Sequence, residues 1–279
     1  MRFLLFLVLV MANVACSERT IQASSGQSAL QQPDQPTGQQ VTNSAVSGGC
    51  TYLTPGNLEP DSGVGVNDAR VWAPGIASPF GTVNAVAKSQ VYLPGGYQSG
   101  SSDQCVTQNF RYPHRDTFCE TRGADRDSLN CARRNIHQGI DINAGSRTQC
   151  LQLQDAYASI TAGGPAIAAD IIPIRAVSDG LISYIGRYTV DLRPATGGIS
   201  RFRYLHMNMR SLRVEFGDEV KQGEIIGYYY NDFAGTSTTF HLHFEVIAFV
   251  NGEAQYVSPY MSFVRAEERS KGVVCTERG

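Results

Sequence analysis

Apolar residues in this chain fall into short runs broken by turn signals. Only near the start do they run together. Phe3 to Met11 is continuously apolar behind one positive charge at Arg2. That run is half of the roughly 20 residues needed to cross a bilayer, so residues 1–15 read as a secretory signal rather than a span. Residues 16–49 are rich in Gln, Ser, Thr, Gly and Pro and show no apolar period. Such a stretch cannot bury enough surface to offset its ordering entropy, and it reads as a flexible tether. From Cys50 onward, β-branched and aromatic runs recur. Strands are predicted at Gln90–Leu93, Leu181–Ile185, Glu224–Tyr230 and Phe244–Val250. Asp179-Gly180 and Asn251-Gly252 beside these runs are hairpin signals. Helical spacing is weak and is best at Leu151–Ile160. No solenoid-length repeat occurs. The pattern predicts a mainly β domain over residues 50–279.

Composition changes this picture little. Hydrophobic residues make up 42% of the 279, enough for a core, and charged residues 17%. The formal net charge of -2 gives no basic excess, which argues against a nucleic-acid partner. Residues 105–134 are polar and mixed in charge, and the expectation is a disulfide-stapled insertion with a solvated surface, with a substrate-contacting loop as the alternative. The 7 cysteines form no CxxC pair, and their odd number leaves one over. Cys16 directly follows Asn13-Val14-Ala15, which is similar to a bacterial lipobox with Asn13 where Leu is preferred. Cys16 is thus a candidate lipidation site, with plain cleavage near Ala12 or Ala15 as the alternative. Setting it aside leaves an even set, suited to disulfides in an oxidising compartment, with the pairing open.

Histidine carries the candidate chemistry. The chain has only 5, and His114 stands alone, with a surface role expected. The others fall into His137-Gln138-Gly139-Ile140-Asp141, Tyr204-Leu205-His206 and His241-Leu242-His243. On a strand, positions two apart share a face, so His241 and His243 emerge together, and His137 and Asp141 by the same rule. Two imidazoles and a carboxylate, with a position left for water, make a catalytic zinc set. Each motif alone is weak, since a lone histidine is more often a satisfied core or surface residue. Their combination in a histidine-poor chain is specific.

In that order the motifs resemble the lysostaphin-like, LytM-type zinc metalloendopeptidases that cut peptidoglycan cross-links. Trp72 to Gly81 (WAPGIASPFG) looks like the family's opening strand and turn, and Pro173 to Gly180 (PIRAVSDG) like its hairpin. Gly217 to Gly227 (GDEVKQGEIIG) and Val257 to Tyr260 (VSPY) match later segments. The resemblance covers about residues 71–264, with insertions near 82–133 and 145–170. It implies an antiparallel β-sandwich of the duplicated hybrid-motif, barrel-sandwich type. It implies Zn2+ held by His137, Asp141 and His243. It implies catalysis by His241, which would take the proton of the attacking water, and His206, which would donate to the oxyanion. Three departures bear on substrate preference. Phe240 stands where the family usually has Pro, residues 228–239 lack the usual Gly-Asn-Thr-Gly run, and Leu205 and Met207 flank His206.

The implied function is an endopeptidase acting on the peptide of bacterial peptidoglycan. The implied place is the periplasmic face of the outer membrane, with contact to the membrane through the lipid anchor alone. The alternatives are a non-catalytic module that activates cell-wall amidases, or a freely secreted enzyme. A lipoyl-type carrier, suggested by the Gly217–Ile226 spacing, lacks a lysine at a suitable hairpin tip and leaves four histidines idle.

Overall fold

The computed structural model describes residues 49–121 and 136–279. The signal segment, Cys16 and the tether up to residue 48 lie outside the described residues. Among the described residues no helix is long and apolar enough to cross a membrane.

The domain is mainly β and antiparallel. Its main sheet is built from β1 (Ala85–Ala87), β2 (Ile140–Ala144), β3 (Gly180–Ile185), β4 (Thr189–Pro194), β5 (Ile199–Leu205), β6 (Glu219–Val220), β7 (Leu242–Val250) and β8 (Glu253–Val257). The strand order is β1-β2-β7-β5-β4-β3-β6, and β8 pairs with the far end of β7. Alternation along β7 explains its central place. Leu242, Phe244 and Val246 are fully buried among Ile140, Ile142, Tyr204 and Phe202. His243 and Glu245 take the opposite face, and both are also nearly covered. The register sets Asp141 directly opposite His243, and His243 opposite Leu205, the last residue of β5. Three consecutive sheet neighbours therefore end side by side at the same level.

Several expectations hold. Asn251 and Gly252 join β7 to β8 with φ of 53° and 85°, both left-handed, which is the two-residue hairpin the dipeptide favours. Leu181–Ile185 and Phe244–Val250 are strands, and Ile225–Tyr228 forms one within the expected run. The helical stretch becomes α1 (Arg147–Thr161), capped by Ser146 accepting from Gln149 N–H.

Others need correction. Gln90–Leu93 forms no strand, because Ser89 Oγ takes the N–H groups of Val91 and Tyr92 and folds the chain into bends. Asp179-Gly180 closes no hairpin. Pro173–Arg175 before it pairs with Ile225–Tyr228, whereas β3 after it pairs with β4 and β6. The opening segment forms no strand: Trp72 to Gly75 and Pro79 to Gly81 are bends and turns, and it reaches its neighbour through Ala77 N–H to Val177 O and Arg175 N–H to Pro79 O. A second helix, α2 (Tyr260–Lys271), was not expected. Tyr260 to Val264, Ala266 and Glu267 are all buried, so α2 shows no polar face over its first turns.

His114 is not at the surface. It is fully buried, edge-on to Tyr112 and Phe263, and its Nδ1 accepts the Ala87 N–H at 3.2 Å. The segment around it is not solvated either. Asp116, Thr117, Phe118, Cys119, Glu120 and Thr121 are buried, because this stretch packs beneath β2 rather than looping outward. Residues 122–135 lie outside the described residues.

The disulfides Cys50–Cys275 and Cys105–Cys150 pin this scaffold, and Cys119 is disulfide-bonded as well. The first joins residues 225 apart, beside the parallel pairing of Thr51–Leu53 with Thr276–Arg278. Replacing Cys50 and Cys275 by Ser is expected to lower unfolding stability by about 2–5 kcal/mol, read as a lower denaturant midpoint.

Candidate metal centre

Five side chains named by the sequence meet in one cleft of about 990 Å³. Asp141 comes from β2 and His243 from β7, by the register above. His137 precedes β2, and the bend at Gly139 turns it back toward the strand. His241 sits just before β7. His206 follows β5 with φ 68°, a left-handed backbone that a residue with a Cβ rarely adopts. That conformation takes its ring out of the strand alternation and brings it to 4.7 Å from the His241 ring, centre to centre.

His137 Nε2, His243 Nδ1 and Asp141 Oδ1 converge. The two nitrogens are 2.7 Å apart and lie 2.9 and 3.1 Å from the carboxylate oxygen. His241 Nε2 is 3.5 Å from the same oxygen. All five residues are buried.

The outward ring nitrogens decide what the inward ones can do. His137 Nδ1 lies 2.6 Å from Thr117 O, His206 Nδ1 2.9 Å from Asp232 O, and His241 Nδ1 2.9 Å from Thr239 O. A carbonyl only accepts, so each of these nitrogens carries its proton outward. His243 does the same with its other nitrogen, as Nε2–H donates to Glu245 Oε1 at 2.9 Å. With all four rings neutral, four lone pairs face the cleft: Nε2 of His137, His206 and His241, and Nδ1 of His243; without a cation, His243 Nδ1 holds a proton toward Asp141 Oδ1 instead. His137 Nε2 and His243 Nδ1 cannot hydrogen-bond each other in the neutral state. Their approach is favourable only with a positive charge between them.

A divalent cation meets that need. Two imidazole nitrogens and one carboxylate oxygen are zinc donors, with the remaining imidazole nitrogens bound to a carbonyl and a carboxylate, as metal-ligating histidines require. The local electrostatics agree. Burial pushes the His243 imidazole down, but hydrogen bonds to Asp141 and Glu245 and their charges outweigh it and lift it to about 9. Burial, together with charge on His241 and His243, holds His206 well below the ordinary histidine range, so His206 is neutral.

Sequence reasoning missed the supports. Thr117 holds two ligands at once: its carbonyl takes His137 Nδ1–H, and its hydroxyl takes the Asp141 N–H at 2.9 Å. Thr239 Oγ1, which donates to Gln90 Oε1 at 2.9 Å, also lies 3.2 Å from His241 Nδ1. Gln104 Oε1 accepts the Phe240 N–H at 2.7 Å. The residues expected to be insertions thus form a wall of the site. Glu245 could have been found, since it continues the His241, His243 alternation by two.

A second group, Cys50, His114 and Cys275, also gathers metal-type donors. It does not fit a cation. Its sulfurs are bonded to each other, and the Ala87 N–H on Nδ1 keeps the proton of His114 on Nε2, toward Cys50.

Residues 161–259 match the Peptidase family M23, a range that holds His206, His241 and His243 and begins after His137 and Asp141. Helix α1 lies between the two parts of the site. Over 97 residues the chain is 36% identical to the glycyl-glycine endopeptidase ALE-1 of Staphylococcus capitis, covering 32% of this chain and 25% of that protein. It thus spans about a quarter of the length of that curated relative. Among solved structures, the catalytic domain of the antimicrobial peptidase lysostaphin from Staphylococcus simulans is 26% identical, over 44% of this chain and 76% of that one, with a TM-score of 0.28. A zinc-containing peptidase from Vibrio cholerae is 18% identical, over 50% of this chain and 33% of that one, with a TM-score of 0.31. The family matched over residues 161–259 is the one that the sequence motifs resemble.

Gly139 is where this geometry is most sensitive. A Cβ there would lie 2.4 Å from Phe244 O and 2.9 Å from both Glu245 Cγ and His243 Nε2. Gly139→Ala is expected to weaken binding of zinc by the metal-free protein at least about tenfold, measured by chelator competition. Unchanged affinity would show that the close approach is not needed.

Proposed function

We propose that the chain is a zinc-dependent endopeptidase that hydrolyses amide bonds in the peptide cross-links of bacterial peptidoglycan. The observation that carries this reading is the convergence of His137, Asp141 and His243 with two further imidazoles presenting acceptor nitrogens. His137 Nε2, Asp141 Oδ1 and His243 Nδ1 would hold the ion. When bound, zinc supplies a Lewis acid that lowers the pKa of a water toward about 7 and polarises a carbonyl.

The remaining work falls to this chain's own groups. His241 Nε2 faces the cleft with its proton-bearing Nδ1 fixed by Thr239, so it is set to accept the proton of an attacking water. The protonated ring can then give that proton to the leaving amide nitrogen. His206 also presents an acceptor in its neutral form. Its donor role toward the oxyanion therefore belongs to the protonated ring, which would take its proton from solvent before the attack and keep it through the cycle. The absence of an HExxH glutamate from the sequence leaves imidazole as the base.

The M23 match and the endopeptidase name of the Staphylococcus capitis relative support the reaction class. The apolar run at residues 3–11, Cys16 and the polar tether support export, lipidation and a position facing the periplasm. The barrel-sandwich arrangement implied by the family belongs to the same reading. A purely regulatory module has nothing here in its favour, because all five side chains are present and assembled.

Digestion of purified peptidoglycan by the zinc-loaded protein, with mass analysis of the soluble products, tests the proposal. Release of cleaved cross-link peptides is expected. His206→Ala is expected to keep zinc and lose activity by about 100-fold or more, whereas His243→Ala loses both. Full activity in His206→Ala would refute its assignment.

A further inference from the structure

Beyond the five site residues, a row of charged side chains crosses the sheet directly from His243. Glu245 on β7 is the cross-strand partner of Arg203 on β5, and Arg203 is the partner of Asp191 on β4. The contacts follow that row. His243 Nε2–H donates to Glu245 Oε1 at 2.9 Å, and Arg203 Nη1 donates to the other oxygen, Oε2, at 2.8 Å. Arg203 is itself held from two sides. Its Nε donates to Asp191 Oδ1 at 3.1 Å, and Nη1 donates to Tyr256 OH on β8 at 3.2 Å. Arg201 Nε stands 3.8 Å from Asp191 Oδ2. Glu245 and Asp191 are buried, with side-chain exposures of 6% and 7%, while Arg203 keeps 22%.

We infer that Arg203 is a positioning residue for the metal centre, acting through Glu245 to set the orientation and donor strength of His243. The inference rests on the reading of His137, Asp141 and His243 as zinc ligands. The physical reason is geometric. A carboxylate that receives His243 Nε2–H must be fixed in rotation, or the ring can turn and carry Nδ1 off the cleft. Arg203 fixes it by holding the second oxygen, and its planar fork reaches Asp191 at the same time. Outer partners of this kind govern metal affinity by about 10- to 100-fold. Without the guanidinium, two buried carboxylates would lie across one strand from each other with no cation between them.

The test is a double-mutant cycle on the whole protein, read as zinc affinity by chelator competition. The visible spectrum of the cobalt-substituted protein is a second readout. Arg203→Met is expected to weaken zinc binding by about 10- to 100-fold. Glu245→Gln should do so to a similar extent. The double variant should lose no more than Glu245→Gln alone, because Arg203 acts only through Glu245. Arg203→Lys, which keeps the charge but not the fork, should fall between wild type and Arg203→Met and shift the cobalt spectrum. It also serves if Arg203→Met does not fold.

Wild-type affinity in Arg203→Met would overturn the inference, as would wild-type affinity in Arg203→Lys should Arg203→Met not fold, or losses that multiply in the double variant. If the wild-type protein itself binds no zinc, the reading of the ligands fails first. If it binds zinc tightly and the Arg203 variants match it, only the role of Arg203 fails.

Discussion

A neutral imidazole has one donor nitrogen and one acceptor nitrogen, and the whole site depends on where the donors go. In His137, His206 and His241 the proton is fixed on Nδ1 by a backbone carbonyl. In His243 it is fixed on Nε2 by Glu245. Four acceptor nitrogens and one carboxylate are thereby turned into the same cleft. The proposed metal binding and the proposed uptake of a proton from water both rest on that commitment.

The scaffold exists to deliver those outward partners. Register brings Asp141 and His243 opposite each other and ends β5 beside them, and the left-handed backbone at His206 turns the fourth imidazole inward. The carbonyls come from elsewhere: Thr117 from a buried segment ahead of β2, Asp232 and Thr239 from the loop between Ile225–Tyr228 and β7. That loop departs from the family pattern, yet it supplies two of the three carbonyl anchors. The departures at residues 228–240 thus alter the wall of the cleft without disturbing the donor set.

The site was more legible in the sequence than the scaffold was. Histidine is scarce enough that three local motifs stood out, and His241 and His243, grouped by strand alternation, line the same cleft although His241 lies just before β7. His137 and Asp141 meet for a different reason than the one read from spacing, since His137 lies before the strand and the bend at Gly139 brings it back. Asn251-Gly252 was readable because both residues adopt the left-handed backbone that a tight hairpin demands. Gln90–Leu93 misled because a serine hydroxyl outcompeted a partner strand. α2 escaped because its first turns are buried all round. His114 and Thr117 were invisible in principle. Polarity marked their segment as solvated, and only the fold shows those polar groups satisfied indoors. Arg203 and Glu245 needed the register of strands distant in sequence.

Anomalous diffraction at the zinc edge from crystals of the zinc-loaded protein tests the central claim most directly. The account predicts one strong peak, bonded to His137 Nε2, Asp141 Oδ1 and His243 Nδ1, with His206 and His241 unligated beside it. A peak bonded through His243 Nε2, or one lying at Cys50, His114 and Cys275 instead, would contradict it.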